Sequence, residues 1–144
     1  MRSWIASKAS SRTIELLAFL LDTHALLWWW LDDEALSSAA GEAMRQRDEP
    51  IFVSPVSAVE IAIKVRNGKL PAMRDSLLQF DELVRRDAFA HLPVTYDHAR
   101  EAGLMPGEHR DPFDRLIAAQ GRIERLTVIT RDPQFTAFGC RTLW

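Results

Sequence analysis

Residues 16–30 read LLAFLLDTHALLWWW, and the order of their parts decides the fold. An apolar run, LLAFLL (16–21), stops at Asp22-Thr23-His24, and apolar residues then continue through Leu26, Leu27, Trp28, Trp29, Trp30 and Leu31 at a density that suits a helix. An uninterrupted apolar run fits a strand buried on both faces, and an acid immediately before a helical segment fits a cap. The same alternation recurs down the chain, with apolar runs at IFVS (51–54), HLPVT (91–95), LTVIT (126–130) and CRTLW (140–144). Short strands separated by helical segments predict a parallel sheet with helices on its faces. The expected fold is therefore α/β, a three-layer α/β/α arrangement around a mostly parallel central sheet of about five strands.

The connecting segments carry their own punctuation. Residues 25–47 hold two helices, the apolar one and a second from Ser37 to Arg47 after a Ser-Ser start. Ser54-Pro55 opens a helix that runs through IAIKV to Asn67-Gly68. Leu77, Leu78, Leu83 and Val84 predict a helix over 74–87, and a shorter one spans Asp97 to Leu104. Asp111-Pro112 opens a helix with Phe113, Leu116, Ile117 and Ile123 on one broad face, and Asp132-Pro133 opens a short last one.

At 144 residues, 47% hydrophobic and 26% charged, the chain has the make-up of one folded domain rather than a disordered or low-complexity segment. The formal charge of −2 excludes nucleic-acid binding by global positive charge, so any such contact has to be local. The single cysteine, Cys140, excludes an internal disulfide and any cysteine-clustered metal site, fits a reducing cytoplasm, and reads as a small buried hydrophobe. The 16–21 run is too short to cross a membrane and leads straight into Asp22 without a cleavage pattern, so neither a membrane nor a secretory role is expected. Residues 1–15 read as an N-terminal extension, and 16–144 as the domain.

Four acids point to one place. Asp22 follows the first strand and Asp132 the fourth, which in a parallel sheet sets both at carboxyl ends of strands. Glu60 lies in the helix after the second strand, and Asp114 in the first turn of the helix that feeds LTVIT; Asp111 is a fifth acid nearby. Singly, each has a structural explanation: Asp22, Asp111 and Asp132 as caps, and Glu60 and Asp114 at capping-box spacing from Ser57 and Asp111. Capping does not require all of them to gather at one sheet edge, whereas a site for a hard divalent cation does.

LLDTHALLWW (20–29), SPVSAVEIAIKVRNGKL (54–70), HRDPFDRLIAAQ (109–120) and LTVITRDPQFTAFG (126–139) resemble, in order and spacing, the PIN-domain family, specifically VapC-type toxins of bacterial toxin–antitoxin modules. The resemblance implies a ribonuclease dependent on Mg²⁺ or Mn²⁺, a homodimer, and inhibition by a cognate VapB-like antitoxin. It assigns the four metal-binding acids to Asp22, Glu60, Asp114 and Asp132, with Asp111 the extra acid of the DPFDR variant, and Thr23 and Thr130 as hydroxyls beside them.

Arg110, Arg115, Arg131, Lys64, Arg66 and Lys69 flank these motifs and are candidates for RNA phosphates, against the alternative of solvated helix faces. Three consecutive tryptophans, Trp28, Trp29 and Trp30, point about 100° apart on a helix and cannot all enter one core. They suggest a groove between the first two helices that receives an amphipathic antitoxin segment. His24, His91, His98 and His109 lack zinc-site spacing. Two competing classes are a non-catalytic PIN-like module that only binds RNA or antitoxin, and an aspartate-nucleophile phosphatase. The phosphatase reading wants a second Asp two residues after Asp22, where His24 stands.

Overall fold

The computed structural model describes residues 18–45, 48–108 and 111–144. The N-terminal extension over 1–15, the first two residues of the LLAFLL run, and His109 and Arg110 lie outside the described residues. Five strands, β1 (Phe19–Leu21), β2 (Ile51–Val53), β3 (Ala90–His91), β4 (Thr127–Ile129) and β5 (Arg141–Leu143), form one sheet in the order β3-β2-β1-β4-β5. Every pairing is parallel.

The apolar triplets explain the layers. Leu20, Phe52 and Val128 face one side of the sheet, where they meet Ile117, Ala118 and Ala119 of α6 (Pro112–Ile123) and Ala102 of α5 (Tyr96–Leu104). Phe19, Leu21, Ile51, Val53 and Ile129 face the other. There they meet Leu26 and Leu27 of α1 (Thr23–Trp30), Met44 of α2 (Ser38–Arg45), Ile61 of α3 (Pro55–Arg66) and Val84 of α4 (Phe80–Arg86). With side chains alternating along each strand, a triplet apolar at every position is the pattern two covered faces demand. The three-layer expectation holds, and the sheet is parallel throughout.

Two expected elements differ. HLPVT does not form a strand over 91–95: β3 ends at His91, because Pro93 has no N–H to give a ladder and Thr95 turns to cap α5. Thr95 Oγ1 accepts from the His98 N–H, and His98 Nδ1 accepts from the Thr95 N–H, so the helix starts at Tyr96 and not at Asp97. His98 Nε2–H is thereby left to donate to Glu124 Oε2 at 2.9 Å, a buried tie between α5 and the end of α6. The helix expected over 74–87 is broken into a 3-10 turn, Ser76–Gln79, followed by α4; a second 3-10 turn, Pro71–Met73, precedes them. The final helix, α7, is one turn long (Gln134–Ala137).

The sheet order matters for function. From β1 the chain moves one way, through β2 to β3, and then returns to the other side of β1 for β4 and β5. The gap between the carboxyl ends of β1 and β4 is thus a topological switch point, where the connecting helices part to opposite faces and leave a crevice.

Candidate functional site

Asp22 sits at that switch point. It directly follows β1, its N–H donates to the Ile129 carbonyl of β4, and it is 5% exposed. Oδ1 accepts from the Ala25 N–H at 2.7 Å, which caps α1, and Oδ2 accepts from Thr130 Oγ1 at 2.5 Å. Capping and site geometry are therefore one arrangement, since the helix N-terminus fixes the rotamer that turns the carboxylate into the crevice. Burial pushes the Asp22 carboxyl up to about 6, against the lowering effect of Thr130 and Ala25 and helped by the nearby charge of Asp132.

Asp132 shares the crevice, a cavity of about 350 Å³ lined by Asp22, His24, Trp28, Arg131, Asp132 and Pro133. Its Oδ1 accepts from the Gln134 N–H at 2.9 Å, one residue ahead of the expected cap position, since Pro133 and not Asp132 is the N-cap of α7, while Thr130 Oγ1 accepts from the Asp132 N–H. Thr130 thus links the two acids of β1 and β4.

Glu60 projects from the middle of α3, and its side chain is held from α1. Thr23 Oγ1 donates to Glu60 Oε1 at 2.5 Å, and Ser57 Oγ lies 2.9 Å from Thr23 Oγ1. With the Thr23 proton on Glu60, Ser57 donates to Thr23. The capping-box reading of Ser57 and Glu60 is corrected by this geometry: Ser54, whose Oγ accepts from the Val56 N–H, caps α3, and Ser57 is a site residue. Sequence reasoning missed Ser57, because the spacing that signals a local box conceals a partner 34 residues away.

Oxygen atoms of Glu60, Asp111 and Asp114 all lie within 4.8 Å of one another. Asp111 caps α6 through the Phe113 N–H at 2.9 Å, and Asp114 stands in the first turn of that helix. Burial, then the charges of Asp114 and Asp111, push the Glu60 carboxyl up to about 7. The five sequence-selected acids therefore fall into two subsets, Glu60 with Asp111 and Asp114, and Asp22 with Asp132, joined through the adjacent Thr23 and His24. The His24 imidazole is lowered by its burial and by Lys64, while Asp114 and Asp132 both act on it in the opposite sense. Lys64 Nζ lies 3.4 Å from His24 Nε2.

The basic candidates separate. Arg131 is exposed, with its guanidinium carbon 4.5 Å from the centre of the Trp28 ring, and Lys64 stands over His24. Arg115 differs from expectation: it donates to the carbonyls of Ala102, Met105 and Gly107, and so clamps the loop between α5 and α6 rather than facing a ligand. Arg66 ends α3, which runs away from the carboxyl edge, and Lys69 lies just beyond it. Cys140 is buried and its thiol is pushed up to about 11 by burial, so it is no nucleophile.

The three tryptophans are all half-buried, each differently placed. Trp29 and Trp30 both donate from Nε1 to Asp87 Oδ2, at 3.2 and 2.8 Å, and pack on Phe89 and Phe80. Trp28 packs on Trp144 and His24. Between α1 and α2 lies a groove of about 920 Å³ with Trp28, Trp29 and Leu36 in its wall and Asp32, Asp33, Glu34 and Glu42 among its polar residues.

The model of the PIN domain family matches residues 19–139, a span that runs from β1 past α7 and takes in all five acids. The chain belongs to the PIN domain family. A curated relative, Ribonuclease VapC22 of Mycobacterium tuberculosis, is 28% identical over 114 residues, covering 78% of this chain and 85% of that protein. Among solved structures, VapBC2 from Rickettsia felis bound to a promoter DNA fragment superposes with a TM-score of 0.65 at 15% identity, covering 88% of this chain and 98% of that one. VapC20 of Mycobacterium tuberculosis, described as a sarcin-ricin loop cleaving toxin, gives 0.63 at 15% identity over 85% of this PIN domain chain and 95% of its own. These likenesses at low identity speak for the fold.

Proposed function

We propose that this PIN domain is a VapC-type toxin, an endoribonuclease that hydrolyses RNA phosphodiester bonds and is neutralised by a cognate VapB-like antitoxin. The observation that carries the reading is the pair of carboxylate subsets at the sheet's carboxyl edge, Glu60 with Asp111 and Asp114 and Asp22 with Asp132, in which Asp22 and Glu60 are raised, chiefly by burial. Like charges so close repel, and a divalent cation relieves that repulsion while meeting the hard oxygen donors it prefers. The donor set fits Mg²⁺ or Mn²⁺, with Asp22, Glu60, Asp114 and Asp132 as the residues that would hold it and Asp111 beside them. When bound, such an ion supplies an activated water for in-line attack and stabilises the leaving oxygen.

The chain's own residues do the rest. Thr130 and the Ala25 N–H fix Asp22, and Ser57 through Thr23 fixes Glu60, so neither carboxylate has to reorganise when substrate arrives. Lys64 and Arg131 add positive charge at the rim of an otherwise acidic crevice, which a polyanion needs in order to approach. The relative named as a ribonuclease, and the neighbour described as a sarcin-ricin loop cleaving toxin, support the same reading. The groove between α1 and α2, with indole walls and an acidic lip, suits an amphipathic basic antitoxin segment. A homodimer acting in the cytoplasm completes the proposal.

The test is cleavage of a panel of structured RNAs by purified protein with Mg²⁺, Mn²⁺ or EDTA, with Asp22→Asn alongside. Cleavage that needs both the metal and Asp22 is expected. Undiminished cleavage by the variant would sink the mechanism, and silence across the panel with either metal would favour a binding module.

A further inference from the structure

Arg131 stands beside two carboxylates yet forms an ion pair with none of the described residues. Both oxygens of Asp22 already accept hydrogen bonds, from Ala25 and Thr130, and Asp132 Oδ1 accepts from the Gln134 N–H. The guanidinium instead lies over the Trp28 indole, 4.5 Å from the ring centre, in the wall of the cavity that holds Asp22 and Asp132. An arginine whose charge reaches Asp22 but whose N–H groups contact no carboxylate of the described residues keeps its planar fork of donors for a tetrahedral anion. The indole face attracts the cation without occupying those donors.

We infer that Trp28 is a positioning residue for RNA, holding Arg131 where it grips a substrate phosphate at the Asp22–Asp132 cavity. The alternative use of a half-buried indole, stacking an RNA base, is disfavoured by the neighbours of Trp28. Arg131 lies over the ring, Trp144 crowds it at 5.5 Å and 60°, and His24 at 5.4 Å and 40°. A stacking base would have to evict one of them. Trp29 and Trp30, tied together to Asp87, take no part in the cavity.

The inference rests on the ribonuclease reading but is tested by binding. The probe is a fluorescein-labelled single-stranded RNA, titrated by anisotropy at several salt concentrations with Ca²⁺ in place of Mg²⁺, against wild type, Arg131→Ala, Trp28→Ala and the double variant. Loss of one phosphate contact flattens the salt dependence on a log–log plot by about 0.7 for a single strand. The expected result is that Arg131→Ala and Trp28→Ala each weaken binding about tenfold and each flatten the slope, while the double variant does no more than either. In cleavage assays KM rises and kcat stays near wild type. Trp28→Phe, which retains a π face, recovers most of the affinity.

Weaker binding by Trp28→Ala with an unchanged slope would make the indole a base platform and overturn the inference. So would a Trp28→Ala protein that binds like wild type while Arg131→Ala does not. If Trp28→Ala does not fold, Trp28→Leu keeps apolar packing against Trp144 without the π face and decides the same question. Wild-type protein that binds no RNA at all would instead defeat the ribonuclease reading on which the inference rests.

Discussion

Asp22 should cost the metal-free protein stability, and replacing it with asparagine should recover that stability in a pH-dependent way. Its carboxyl is raised from 3.8 to about 6, chiefly by burial. Between those values the folded protein keeps a proton that the unfolded chain has released, so the native state binds more protons and stability falls as pH rises through the window. A shift of about two pKa units corresponds to roughly 3 kcal/mol, absent below about pH 3, about 1 kcal/mol at pH 4.5 and fully expressed by pH 7 to 8. Asp22→Asn keeps the acceptor for the Ala25 N–H, and the Thr130 hydroxyl can turn to accept from the new amide. The variant should therefore melt roughly 2–4 °C above wild type at pH 4.5 and roughly 6–12 °C above it at pH 8, for a chain of this size. Glu60→Gln should move in the same direction over a window ending near pH 7, by less, because its carboxylate opens to the crevice and water screens it. Thermal denaturation in EDTA across this pH range is the assay. Adding Mg²⁺ should then raise wild type by about 2.7 kcal/mol at a hundredfold excess over Kd, and Asp22→Asn by clearly less. A melting difference between the two proteins that does not change with pH would refute the reasoning.

Three further outcomes follow from contacts elsewhere. Arg115→Ala removes the donors to Ala102, Met105 and Gly107 and should lower stability by about 1–3 kcal/mol, with faster limited proteolysis between α5 and α6; an unchanged digestion pattern would show that the clamp does not hold the loop. Gly121→Ala places a Cβ 2.8 Å from Val128 Cγ2 on β4 and should cost about 1–3 kcal/mol in denaturant unfolding, with Val128→Ala in the same chain restoring part of it, and no restoration would place the clash elsewhere. Asp87→Ala strands the indole N–H groups of Trp29 and Trp30 and should cost about 1–3 kcal/mol and shift tryptophan emission, while the affinity for RNA stays at the wild-type level; a matching loss of RNA affinity would tie those two indoles to the site after all.

What could be read from the sequence was what short-range chemistry decides. Apolar triplets identify β1 and β2, and the Val128-Ile129 pair β4, while Asp22, Ser54 and Asp111 cap the helices they precede because an acceptor two or three residues ahead of a free N–H needs no distant partner. Where a local signal had a rival, the reading slipped. HLPVT has the residues of a strand, but Pro93 interrupts the ladder and Thr95 with His98 builds a reciprocal cap that no Asp97 start can match. Arg115 sits in a motif rich in acids, and nothing local shows that three carbonyls from the preceding loop converge on it. That acids would gather at the carboxyl edge was legible from their strand-end positions. Their division into two subsets was not, because it depends on Thr23 meeting Glu60 across 37 residues and on Thr130 meeting Asp22 across 108.

The tryptophan run shows how one local feature acquires separate roles. Consecutive residues on a helix diverge by about 100°, so three indoles cannot share an environment, and each is fixed by whatever the fold brings opposite it. For Trp29 and Trp30 that is one carboxylate oxygen of Asp87. For Trp28 it is Arg131 from the β4 edge and Trp144 from the chain terminus. Trp28 also stands in the walls of both the α1–α2 groove and the cavity of Asp22 and Asp132. A segment seated in the groove therefore meets the same indole that holds the arginine at the acids, so occupation of the groove bears directly on a side chain at the site.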